Sequence, residues 1–327
     1  MQILNRASAL ARAGVAAIVL SATGGLALAQ SYPDKPVKII MPWADGFPAS
    51  SVRLYSDRLA ERYKQPMVVE VRPGAGGEVA AKVVVPAPKD GYTLLGTGSS
   101  IAIRTVMDEK NVDPDKELQP IAQLVTTPYV IVAKAGKYAS ISDFLASARA
   151  RPGKTNFASA GVGTGMHFLG ELININANID MVHIPYATGS RQLQGLLSGD
   201  VEVAIISLVT AWPQIKAGTL DALAVSTTTR SKTLPKVPTL KEAGIGGIPS
   251  MGAWIALFGP KNMDPAVVKS LSTQIQAIAA DPAVIETAMG WGAEIPDTSM
   301  AALQEVIAAE TKSWRRLVKE KNLTGGN

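Results

Sequence analysis

The feature that most constrains this chain is a rhythm. Short apolar runs alternate with amphipathic segments, and the alternation completes one block and then restarts. The runs at 37–40, 67–71 and 92–98 read as strands. Between them, Val52, Tyr55, Leu59 and Tyr63 repeat at helical spacing, and residues 78–85 form a second helical segment that ends at Pro86 and Pro88. The order β-α-β-α-β predicts a parallel sheet with helices on both faces. The pattern restarts near Thr126, with strands at 129–133, 155–159, 181–184, 201–206 and 221–225 and helices at 140–150, from Met166 to Ile173, and at 188–198. A proline-marked connection follows from Ser231, then a buried strand over 251–259. Val267, Val268, Leu271, Ile275 and Ile278 line one helix face, and Met300, Leu303, Val306, Ile307 and Trp314 line a long C-terminal one. The expectation is an α/β chain in two lobes, each a mostly parallel sheet flanked by helices, with a cleft between them. Lobe one combines 30–126 with 231–327, lobe two is 127–230, and crossings near 126 and 230 form the hinge.

What precedes the first strand reads differently. Residues 1–29 carry Arg6, Arg12 and no acid, then an apolar stretch from about Gly14, then Ala27-Leu28-Ala29. A basic start, an apolar middle and a small-x-small end describe a secretory signal peptide, cut after Ala29. A membrane anchor is the weaker reading, because Ser21, Thr23, Gly24 and Gly25 interrupt the apolar stretch. The predicted location is therefore the periplasm. At 47% hydrophobic and 18% charged, the 327 residues are enough for a substantial core. With no cysteine, disulfides, thiolate zinc sites and cysteine nucleophiles are excluded, and two histidines argue against a histidine metal centre. Basic residues are scattered, so nucleic acid is not an expected partner.

In open parallel sheets, ligands bind outside the carboxyl ends of the strands. Three strand-to-helix loops share one chemistry there: "PWADGFPASS" (42–51), "ASAGVGTGMH" (158–167) and "PYATGS" (185–190). Their small residues allow close backbone approach, and free N–H groups at a helix start favour an anion. Taken singly, each loop reads as a tight turn with an N-cap. Together they point to an anion site. Gly161-Val162-Gly163-Thr164-Gly165 lacks the third-glycine spacing of a dinucleotide loop. There is no phosphate loop of the G-x-x-x-x-G-K type and no G-x-S-x-G elbow. His167 is the natural general-base candidate, but a lone histidine at a helix start is more often structural. His183 reads as a core or edge histidine.

These stretches occur in a familiar order. "YPDKPVKIIMPWADG", "VVEVRPGAGGEVAA", "PAPKDGYTLL", "RPGKTNFASAGVGTGMHFLGEL", "MVHIPYATGS", "LLSGDVEVAI" and "WIALFGP" together resemble the solute-binding proteins of tripartite tricarboxylate transporters, the Bug or TctC family. The resemblance runs from about Tyr32 to the C-terminus. It implies a two-lobe Venus flytrap of the type II periplasmic binding protein kind. Such a protein is a monomer, not an enzyme, and uses no cofactor. It captures a small carboxylate, di- or tricarboxylic or aromatic, and delivers it to a two-subunit TctA/TctB-like permease. A sensory component of the same fold is the alternative, and a secreted α/β hydrolase the weaker one.

Carried over by position, the resemblance implies ligand contacts at Trp43, Ala44, Gly46, Ala49, Ser50 and Ser51. The second loop adds Ser159, Gly161, Gly163, Thr164 and His167, and the third Tyr186, Thr188 and Gly189. Ser99, after the 92–98 strand, completes the set. Five positions depart from the family pattern: Asp45 and Phe47 replace a proline and a glycine, Ser50 stands where an aspartate is common, and Ile206-Ser207 replaces an Asp-Asn pair. Phe47 and Ser207 thus join the candidate ligand-binding residues. Fewer acids and an added aromatic favour an anionic, partly apolar ligand over one carrying an ammonium, unless Asp45 turns into the cleft.

Overall fold

The computed structural model describes residues 32–321. The signal-peptide segment lies outside the described residues. Lys35 onwards forms one unit, and residues 32–34 belong to a separate N-terminal one.

The unit from Lys35 begins with β1 (Val37–Met41), α1 (Gly46–Tyr63), β2 (Met67–Val71), α2 (Glu78–Val84), β3 (Thr93–Gly98) and α3 (Ser100–Met107). One helical turn, α4 (Pro114–Glu117), leads into the long β4 (Leu118–Lys134). The second block is α5 (Ile141–Ala150), β5 (Thr155–Ser159), α6 (Gly165–Ala177), β6 (Met181–Pro185), α7 (Gly189–Ser198), β7 (Val203–Ser207), α8 (Leu208–Lys216) and β8 (Leu220–Val225). The chain returns through β9 (Gly252–Pro260), α9 (Pro265–Ala279), α10 (Pro282–Gly290) and α11 (Met300–Lys321).

The strands form one continuous path, β2-β1-β3-β9-β4-β7-β5-β6, with β8 also on β4. The outer pairs β1–β2, β1–β3, β5–β6 and β5–β7 are parallel, as the alternation of strand and helix requires. The strands that cross the middle, β4 and β9, run antiparallel to their neighbours. β4 changes partners along its length. It pairs with β9 from Leu118 to Pro128, then with β7 from Tyr129 to Ala133 and with β8 from Val130 to Lys134. The sequence reading catches only the 129–133 part of this strand. Its first half carries Gln119, Pro120, Gln123, Thr126, Thr127 and Pro128, which break the apolar run, and its register shifts beside Pro120 and between Gln123 and Val125. Prolines and bulges mask a strand whose pairing is nonetheless set by its neighbours. The helices α3, α4 and α10 are likewise absent from the reading. Ile101, Ile103, Thr105 and Val106 in α3 are β-branched, which obscures a helix of only 8 residues.

Hydrophobic clusters of described residues lie against this path in both blocks. In the first, Ile40, Leu95 and Phe258 of the sheet meet Ala81 and Val84 of α2, Ile101 of α3, and Leu303 and Ile307 of α11. In the second block β4 alternates in the expected way: Ile131 and Ala133 face Phe144, Phe157, Phe168 and Leu169, while Val130 and Val132 face Leu196, Ile206 and Leu208. Each large side chain fully buried in this way contributes about 1.5–3 kcal/mol. α11 serves both halves, because Trp314 near its end stacks on Phe168 of α6 with ring centroids 4.9 Å apart. Beside the middle strand, Thr126 and Glu294 exchange two backbone hydrogen bonds of 2.9 and 2.8 Å. The Glu294 carboxylate accepts from the Ser231 hydroxyl at 2.6 Å and the Lys232 N–H at 2.9 Å. One residue thereby ties together both places where the chain passes between blocks.

Glu310 of α11 is buried, and the indole N–H of Trp254 donates to its Oε2 at 3.1 Å. Burial pushes its pKa from the ordinary 4.5 up to about 8, against the lowering effect of the Trp254 bond. The folded chain thus keeps this proton at pH values where the unfolded chain has lost it. Stability from this group is complete below about pH 4.5 and is lost as the pH rises to about 8. Glu310→Gln keeps an oxygen for Trp254 and removes the titration. Melting curves should show the variant gaining on the wild type as pH rises from 5 to 8. A constant difference across that range would mean that Glu310 does not titrate there.

Candidate functional site

A cleft of about 1250 Å³ opens where β1, β3, β5 and β6 end. Two smaller hollows, of about 440 and 370 Å³, lie elsewhere, along α9 and beside 294–298. The large cleft draws one wall from Trp43, Pro48, Ser99 and α3, and the other from Ala160 to Met166 with Thr188 and Gly189. Tyr129 and Ala253 line it between these walls.

The second wall is built around two helix starts. Thr164 caps α6: its hydroxyl oxygen accepts the His167 N–H at 3.3 Å and its own O–H donates to the Gly161 carbonyl at 2.8 Å. Thr188 caps α7 by accepting the Arg191 N–H at 3.2 Å. Each cap satisfies the third amide of its helix. The first two amides, Gly165 and Met166 in α6 and Gly189 and Ser190 in α7, have no intrahelical acceptor. Gly165, Met166 and Gly189 line the cleft. Two positive helix ends therefore face one cavity.

The loop before α6 is held from behind by histidines. The Gly163 N–H donates to His167 Nδ1 at 3.2 Å, with Gly163 at φ +77°. His167 is buried and stacks on His183, ring centroids 4.1 Å apart. His183 Nε2 and the Ser159 hydroxyl hydrogen-bond at 2.6 Å, and Ser159 Oγ accepts the Gly161 N–H at 3.1 Å. Burial lowers the His167 pKa. Burial, then the neighbouring His167, lowers that of His183 to about 4. Both rings are neutral at neutral pH and act as a scaffold for the glycine loop.

Of the residues expected from the sequence, Trp43, Ser99, Gly163, Thr164, Thr188 and Gly189 line the cleft. Ser159, Gly161 and His167 sit behind the loop they support. Tyr186 lies over α7, where a Cβ on Gly195 would fall 2.1 Å from its hydroxyl. Ser207 is buried, its hydroxyl 3.2 Å from that of Thr210. The first loop divides. Trp43 and Pro48 face the cleft, whereas Phe47 packs edge-on against Trp291 at 6.0 Å. Ala49 and Ser51 are buried beneath α1, the Ser51 hydroxyl donating to the Phe47 carbonyl at 2.8 Å. Ala44, Asp45, Gly46 and Ser50 are exposed and do not line the cleft. Asp45 occupies the N-cap position of α1 without a side-chain cap bond.

Among the lining residues that the sequence reading passes over, three stand out. Tyr129 is buried at the partner change of β4, and its hydroxyl hydrogen-bonds the Ser99 side chain. Met107 reaches across to the opposite wall, where a Cβ on Gly163 would lie 2.7 Å from its sulfur. Arg104 brings a cation to the cleft. A single arginine within the apolar stretch "SIAIRTVM", just after a strand, was the available signal.

Gly165 has no room for a side chain: an added Cβ would stand 2.6 Å from Tyr129 Oη and 3.0 Å from Cε2. Gly165→Ala should cost about 1–3 kcal/mol in chemical denaturation through overpacking. Adding Tyr129→Phe, which removes the closest atom, should recover part of it. No recovery in the double variant would place the strain elsewhere.

The fold and site can be set beside known proteins. The family model described as tripartite tricarboxylate transporter family receptor, TctC, matches residues 51–323. A UPF0065 protein of Pseudomonas sp. is 30% identical over 316 residues, covering 95% of this chain and 94% of the relative. A protein of R. palustris solved with adipate superposes with TM-score 0.76 at 27% identity, covering 90% of this chain and 99% of that one. MatC from Rhodopseudomonas palustris, solved with bound malate, gives 0.72 at 26%, covering 88% and 100%. The chain therefore belongs to the TctC family of tripartite tricarboxylate transporter receptors, the periplasmic solute-binding proteins with a two-lobe α/β fold.

Proposed function

We propose that this protein captures a small carboxylate in the cleft and delivers it to a two-subunit membrane permease. The observation that carries the reading is the convergence of two helix starts, α6 and α7, on a cavity large enough for a small organic acid. Amides with no intrahelical acceptor are suited to a carboxylate, and Ser99, Thr164 and Thr188 add neutral hydroxyls. Trp43, Pro48, Ile103 and Met166 give the cavity apolar sides, which suits a ligand with a hydrocarbon body. The adipate and malate of the two R. palustris proteins support the same class. The neutral histidine pair sits behind the glycine loop and is poorly placed as a base.

In this reading the working location is the periplasm, reached through a leader cut after Ala29. Among the described residues no helix is long and apolar enough to cross a membrane. The two lobes are 30–126 with 231–327 and 127–230, and they close over the ligand about the middle of β4. The partner change of β4 after Pro128 and the Glu294 tie to Ser231 support this division. The protein acts as a monomer.

Thermal-shift screening tests the class directly. Mono-, di-, tri- and aromatic carboxylates are compared with sugars and amines. A true ligand at about a hundred times its Kd should add about 2.7 kcal/mol of stability. Stabilisation by sugars or amines with none by any carboxylate would overturn the reading.

A further inference from the structure

We propose that Arg104 is the anchor for a second anionic group, so that the cleft is built for an elongated dianion. One end rests on the amides of α6 and α7, and the other meets the Arg104 guanidinium. This rests on the carboxylate reading above and sharpens it from carboxylates in general to diacids.

Three observations carry the assignment. The first is an orphaned charge. Arg104 lines the cleft, and its Nε is shut off from solvent with no hydrogen-bond partner among the described residues. None of the ion pairs among those residues includes it. A guanidinium remains charged at any physiological pH, and a buried donor without an acceptor is unfavourable. The terminal nitrogens, which make no hydrogen bond or ion pair with the described residues, are left for an acceptor that a ligand brings into the cleft.

The second observation is a cradle. Gly74, Ala75, Gly76 and Gly77 all have positive φ, at 126°, 44°, 61° and 105°. This run lays the Gly76 backbone flat beneath the arginine. A Cβ on Gly76 would fall 2.8 Å from Arg104 Cδ and 3.1 Å from one terminal nitrogen. The Ser100 hydroxyl donates to the Gly76 carbonyl at 3.2 Å and fixes the platform. The Gly74–Gly77 part of "RPGAGG", a run of four positive-φ residues that three glycines permit, thus acts as a seat for one side chain.

The third is placement. Arg104 lies one helical turn before Met107, the residue that touches the Gly163 loop across the cleft. The guanidinium and the α6 helix start therefore border the same cavity from opposite walls. The other charged lining residue is Asp108, which is exposed; its Oδ1 accepts the Lys110 N–H at 3.0 Å, and its backbone N–H donates to the Arg104 carbonyl at 3.0 Å. A monoanion on the helix ends would leave Arg104 uncompensated.

Isothermal titration calorimetry with glutarate, adipate and suberate, each beside its monomethyl ester, tests the proposal. The wild type should bind at least one diacid about tenfold or more tighter than its half-ester. Arg104→Gln should weaken that diacid by about tenfold or more and leave the half-ester within about twofold. Arg104→Lys, which keeps the charge without the planar fork, should fall between. The ligand-free melting temperature of Arg104→Gln should not drop, since the guanidinium has no hydrogen-bond or ion-pair partner among the described residues to lose and Gln keeps part of the stem over Gly76. Equal weakening of diacid and half-ester, or a lower ligand-free melting temperature, would make Arg104 a structural residue and overturn the assignment. A wild type that binds half-esters as well as diacids would overturn it while leaving the carboxylate reading intact. A wild type that binds sugars or amines and no carboxylate would overturn both.

Discussion

The structure depends on one strand doing two jobs. β4 closes the first half of the sheet through β9 and then, without a break in the chain, holds β7 and β8 of the second. Its hydrogen bonds are fixed on both sides of Tyr129, so the two halves share a common frame. Tyr129 stands where partners change, and its hydroxyl meets Ser99 from one half and crowds Gly165 of the other. The floor of the cleft is thus part of the same element that joins the halves. Glu294 completes the junction by bonding to Thr126 along the backbone and to Ser231 through its carboxylate. A change in this region acts on the sheet, on the passage between halves and on the ligand chamber together.

The electrostatics of the site follow from a choice of neutral parts. The two histidines are the titratable groups nearest the glycine loop, yet burial holds both as neutral rings behind it. The attraction for an anion is left to peptide dipoles, which point in one direction and do not depend on pH. Arg104 is the exception, and it sits on the opposite wall. On the reading proposed above, this separation places an unspecific attraction for carboxylate on one wall of the cleft and a discriminating charge on the other.

Most strands, and the loops that border the cleft, are legible in the sequence, because alternation and small-residue turns are local signals. Which side chains enter the cleft is less legible. In "PWADGFPASS" a helix begins at Gly46, and successive residues then fan around its axis. Trp43 and Pro48 can face the cleft only while Phe47 turns to Trp291 and Ala49 and Ser51 go under the helix. A contiguous motif cannot all face one way. The first half of β4 was hidden by its prolines and glutamines, whose tolerance depends on neighbours far away in sequence. Arg104 was hidden for a similar reason: its meaning comes from Gly76, and nothing local announces that the two will touch.

The C-terminal helix adds a mechanical constraint. α11 is fastened to the first core through Leu303 and Ile307 and to the second through the Trp314–Phe168 stack. It runs outside the cleft and spans the same gap that β4 spans within the sheet. Two parallel ties of this kind behave like the flexures of a precision stage. They permit a small rotation about one line and resist shear or twist in other directions. On the proposed hinge, any change in the angle between the two cores must bend α11 or slide the Trp314 ring over that of Phe168.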